Sequence, residues 1–119
     1  MNLQRKNRLE EAGVDVAQAL ERMMGSETLL ERLLAQFLED KNYLELCAAL
    51  DDGDLERAVS ASHALKGVCG NLSMTRLFQL FTAQVNVLRA GDLAAACGMM
   101  KQISSVYGAV VAAIQEGTL

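Results

Sequence analysis

Proline is absent from all 119 residues of this chain, so no position lacks the backbone N–H that a helical hydrogen-bond ladder needs. Ala, Leu, Glu, Gln, Met and Arg, all good helix formers, dominate, and aromatics are only 4%. What interrupts the ladder is glycine followed by a capping residue, at Gly25-Ser26, Gly53-Asp54 and Gly91-Asp92. Glycine suits the left-handed residue that ends one helix, and Ser or Asp accepts the orphan N–H groups of the next. A fourth break is expected at Gly70-Asn71-Leu72-Ser73, with Ser73 as the cap of a new helix. The chain is therefore all-α.

Between the breaks, apolar residues recur at helical spacing. A short helix is expected from Asp15 to about Met24. Leu29, Leu30, Leu33, Leu34, Phe37, Leu38 and Leu44 line a long helix running to about Asp52. Leu77, Phe78, Leu80, Phe81 and Leu88 line another, and Leu93, Cys97, Met100, Ile103, Tyr107, Val110 and Ile114 the last. Tight connections favour antiparallel neighbours. The expectation is an antiparallel four-helix bundle with a short N-terminal accessory helix, one domain over residues 1–119. Residues 1–12 read as a partly flexible extension, and Arg5, Lys6 and Arg8 as a solvated terminus. The carboxylates of Glu10-Glu11, Glu39-Asp40 and Asp51-Asp52 read as solvated helix ends, and Met23-Met24 and Met99-Met100 as bundle packing.

A net charge of −4 with no basic stripe argues against nucleic acid as the main partner, since phosphate contacts need clustered Lys and Arg. No run approaches the roughly 20 continuous apolar residues of a membrane span, and no apolar stretch follows the first basic residues as in a signal peptide. Cys47, Cys69 and Cys97 are odd in number and far apart, which suits buried free thiols in a reducing cytoplasm better than a disulfide. One histidine and scattered cysteines fail the ligand count for zinc or a di-iron bundle. No Gly-rich phosphate loop is present, so no nucleotide is expected to bind.

The chemistry concentrates in Ser62-His63-Ala64-Leu65-Lys66-Gly67-Val68-Cys69-Gly70-Asn71-Leu72, which holds the sole histidine. On a helix, His63, Lys66, Gly67 and Gly70 share one side, while Leu55, Ala58, Ala61, Ser62, Leu65, Cys69 and Leu72 take the other. Each glycine inside a helix costs about 1 kcal/mol relative to alanine, and this segment bears that cost twice on its outer face. Something large approaches the imidazole, or the glycines serve close helix packing. Neutral imidazole is a nucleophile available near neutral pH without an adjacent base. Lys66, one turn on, offers a mobile point charge to anionic oxygens.

These residues resemble the histidine phosphotransfer (HPt) family, whose signature sets a phosphoacceptor histidine before x-x-Lys-Gly on a helix of a four-helix bundle. His63-Ala64-Leu65-Lys66-Gly67 matches it and Gly70-Asn71 continues the match. Gly13 to Val16, Ala19 to Arg22, Leu33 to Leu38 and Leu88 to Asp92 are similar to the family's other helices and turns. The resemblance implies a cytoplasmic phosphocarrier without nucleotide binding, rather than an enzyme. His63 would accept phosphoryl from an aspartyl-phosphate receiver domain and pass it to another receiver aspartate. It implies Lys66 as phosphoryl stabiliser and Gly67 as steric access, with a docking surface around Gly70 and a rim of Glu56, Ser60, Ala64 and Asn71. The partners implied are response-regulator receivers, which carry Mg²⁺, and a hybrid sensor histidine kinase. No cofactor is expected on this chain, which should be a monomer.

Three departures stand out. Ser73 occupies a position where the family commonly has glycine, Cys69 one where Ser or Ala is common, and an acidic residue is missing around Gln84-Val85-Asn86. A second class stays open, an interaction module that binds a receiver or kinase and sequesters it. A third is a structural bundle with no signalling role.

Overall fold

The computed structural model describes residues 1–116. Seven helices follow one another among the described residues: α1 Leu3–Glu11, α2 Val16–Arg22, α3 Glu27–Leu38, α4 Asn42–Asp51, α5 Leu55–Asn71, α6 Thr75–Arg89 and α7 Leu93–Glu116. No strand occurs among the described residues. α5 packs most extensively, against α4 on one side and α6 on the other, and α7 closes the bundle over α1, α3, α4 and α6. At about 1.5 Å per residue, the 24 residues of α7 span much of the 43 Å long axis.

The three glycine-cap junctions behave as their chemistry requires. Gly25, Gly53 and Gly91 have φ of +81°, +67° and +81°. Ser26, Asp54 and Asp92 then accept from the backbone N–H groups of Leu29, Arg57 and Ala95. One core runs through the molecule, with Leu9, Leu30, Leu34, Phe37, Leu46, Leu65, Phe81, Leu88, Ile103 and Ile114 essentially inaccessible. Tyr107 stacks on Tyr43 at 3.9 Å and meets Phe37 at 5.4 Å between ring centres, tying α7 to α4 and α3.

Several expectations are corrected. The long helix expected up to Asp52 is two, because Asp40 turns the chain by accepting from the backbone and side-chain nitrogens of Asn42, both at 2.8 Å. That turn resets the helical phase, so Leu44 points outward, 71% exposed, while Leu46, Ala49 and Leu50 face in. Residues 1–12, expected as an extension, contain α1, whose Leu9 is in the core. Arg5 is no solvated cation: it pairs with Glu31 at 2.8 Å and donates to the Ala113 and Ile114 carbonyls near the end of α7. Met24 is exposed and takes no part in packing. Cys97 is exposed and Cys47 half-buried, so only Cys69 fits the buried-thiol expectation, although all three are free.

By length and mean hydropathy (1.2) α7 alone would pass for a membrane span. Here its Ile103, Val106, Val110 and Ile114 are buried in the bundle, and Lys101, Gln102, Ser104 and Ser105 lie outside.

Candidate functional site around His63

α5 sorts its residues as its sequence dictates. Ala58, Ala61, Ser62, Leu65 and Cys69 are buried, while Glu56, Ser60, His63, Gly67 and Asn71 are exposed and Ala64, Lys66 and Gly70 lie between. Asp54 caps the start of the helix, and Arg57, on Glu45 at 2.8 Å and Asp52 at 2.9 Å, braces it against α4. His63 projects from the middle of this helix with no hydrogen bond or ion pair among the described residues. Its ring is therefore free to meet a partner.

The two glycines do different things. A Cβ on Gly67 would meet nothing within 4 Å, so its missing side chain leaves open surface one turn beyond the histidine. A Cβ on Gly70 would stand 3.1 Å from Cδ1 and Cε1 of Phe78. Gly70 is thus the seat of an aromatic ring. Phe78, expected in the core, is instead 38% exposed beside the motif, and the Lys66 Nζ stands 6.0 Å from its ring centre. That distance is the outer reach of a cation–π contact, and the ammonium has no ion pair among the described residues. Phe78 was missed because helical spacing alone cannot tell one edge of an apolar stripe from a surface beside a glycine.

Behind the exposed face lies a polar tie that the sequence did not announce. Gln84 of α6 is fully buried; its Oε1 accepts from the Ser62 hydroxyl at 2.8 Å and its Nε2 donates to the Ala96 carbonyl at 3.2 Å. Ser62 adjoins His63, so this tie fixes the roll of α5 between α6 and α7. The amide therefore occupies the region where an acidic residue was noted as missing. Cys69, also on the inner face, has its thiol pushed up to about 12 by burial and by the charge of Asp40, which keeps it protonated and inert.

At the end of α5 the chain turns through Ser73, which does not cap α6. It is buried, its φ is +53°, and its hydroxyl has no partner among the described residues. Met74 precedes α6 without a side-chain cap. The turn is held by the Asp15 N–H donating to the Ser73 carbonyl at 2.8 Å and by a backbone bridge between Val14 and Met74. This brings α2 beside the motif, where Gln18 and Arg22 join Gly67, Gly70, Asn71 and Phe78 around a groove of about 530 Å³. No cluster of three or more potential metal ligands exists among the described residues.

Among the described residues the chain is thus an all-helical bundle in which His63, Lys66 and Gly67 share one side of α5. The family profile described as the Hpt domain matches residues 28–115, most of the chain, and the protein belongs to that family. Hpt domains serve phosphorelays as phosphocarriers rather than catalysts and engage receiver domains. No curated protein and no solved structure gave a significant match to the chain.

Proposed function

We propose that this protein carries phosphoryl groups on His63 between aspartates of receiver domains. The observation that carries the reading is His63 itself: a sole histidine, exposed and without a partner among the described residues, with Lys66 one turn on and bare surface at Gly67. A ring nitrogen attacks the phosphorus of a receiver's aspartyl phosphate, forming N–P while the acyl P–O bond breaks. The aspartate leaves with the electron pair as a carboxylate. The reverse reaction with a second receiver regenerates free imidazole and completes the relay. Phosphoryl transfer has a loose, in-line transition state, so its catalysis is mainly positioning and charge neutralisation. The receiver's Mg²⁺ supplies part of that neutralisation, Lys66 supplies another, and Gly67 lets the two surfaces close. Glu56, Ser60, Ala64 and Asn71 form the rim of the docking face.

The antiparallel four-helix frame of this reading comprises the α3–α4 segment, α5, α6 and α7, with α1 and α2 as accessories. The module acts as a cytoplasmic monomer without a cofactor of its own. Binding and labelling by a phosphorylated, Mg²⁺-loaded receiver, compared for wild type and His63→Gln, tests the carrier role. A carrier binds in both forms and takes label only as wild type. Receiver binding without label on wild type would instead support a sequestering module.

A further inference from the structure

We infer that the groove beside His63 receives a docking side chain of the receiver, and that Gln18 and Arg22 of α2 select receivers presenting an apolar side chain next to a carboxylate. The inference rests on the carrier reading above. The groove opens directly off the reacting face, since Gly67 and Gly70 line it one and two turns beyond His63. Phe78, seated on Gly70, provides apolar contact, and Arg22 on the opposite wall provides charge.

Charge complementarity identifies the occupant. The chain carries a net −4, yet the groove's lining contains one guanidinium and no carboxylate. The clefts beside α1, between α4 and α7, and between α3 and α5 each include an acid: Glu31, Asp51 and Asp40 respectively. Arg22 makes no ion pair or hydrogen bond among the described residues, unlike Arg5, Arg8 and Arg57. Arginine and aromatic side chains are the residues enriched at interfaces, and this groove offers one of each in Arg22 and Phe78. The wall is also fixed in place, through the Asp15–Ser73 and Val14–Met74 backbone contacts. Gln18 and Arg22 precede residue 28, where the family match begins. They stand on α2, apart from His63, Lys66 and Gly67 on α5, so partner choice can be set there without touching the reacting groups.

The test measures initial transfer rates against receiver concentration, using phosphorylated, Mg²⁺-loaded receiver domains encoded in the same genome. Wild type is compared with Arg22→Glu, Gln18→Glu and Arg22→Lys. All these positions are exposed, and thermal melts near that of wild type establish that each variant is folded. For receivers that wild type accepts, half-saturation should rise about tenfold in both glutamate variants and stay near wild type in Arg22→Lys. Added salt should weaken wild type more than Arg22→Glu. Half-saturation unchanged in both glutamate variants, with a receiver that does phosphorylate His63, would overturn the docking assignment and leave the carrier reading intact. If no receiver phosphorylates wild type, the carrier reading fails first and this inference falls with it.

Discussion

Ser73 should be the most improvable residue in the molecule. It sits at φ +53°, where a Cβ costs roughly 1–2 kcal/mol. Its buried hydroxyl has no partner among the described residues, a further cost of about 1–3 kcal/mol. Ser73→Gly removes both and gives back roughly 0.5–1 kcal/mol as extra freedom of the unfolded chain. The net expectation is a gain of about 2 kcal/mol. For a domain of this size that should raise Tm by roughly 8 °C, read by circular dichroism melts and checked by urea titration. Ser73→Ala, which removes the hydroxyl and keeps the Cβ, should recover the larger part of that gain. The difference between the two variants isolates the backbone contribution. A Ser73→Gly protein less stable than wild type would refute the reasoning.

Gly67→Ala should stabilise the fold by about 0.5–1 kcal/mol, because it removes a helix-interior glycine and its Cβ meets nothing within 4 Å. The same change should slow phosphoryl transfer at least several-fold, and Gly67→Leu more, in a receiver transfer assay. Gln84→Leu should cost about 1–3 kcal/mol in a denaturant titration by orphaning the Ser62 hydroxyl; adding Ser62→Ala should restore part of it. Thiol reagents followed by mass mapping should modify exposed Cys97 first and Cys69 last. The Cys69 pKa, about 12 in the folded state, lies above its ordinary value. Its thiolate therefore stays scarce below that pH, and native protein should resist Cys69 labelling even at pH 9.

The helical class and the orientation of α5 were legible because both are written in local chemistry. Glycine-cap pairs mark junctions by their backbone needs alone, and the inner face of α5 repeats small and apolar residues at helical spacing. The break before α4 was not legible. It has neither glycine nor proline, only Asp40 accepting from Asn42 two residues on. Ser73 was misread for a related reason, since serine is a common cap and its left-handed backbone depends on the tertiary contact with Asp15. Arg5 in a basic cluster looks like a solvated end until the fold brings Glu31 and two α7 carbonyls to it. The same holds at the site. The spacing of His63, Lys66 and Gly67 places them on one side of α5, whereas Phe78, Gln84 and the α2 wall reach α5 only through packing between helices.

The most direct measurement follows labelled phosphoryl from a Mg²⁺-loaded phospho-receiver onto this protein and then onto a second, unphosphorylated receiver, with His63→Gln in parallel. The account predicts acid-labile, base-stable label on wild type that maps to His63, chases onto the second receiver, and is absent from the variant. Label retained by His63→Gln, or label on wild type that maps elsewhere, would contradict it.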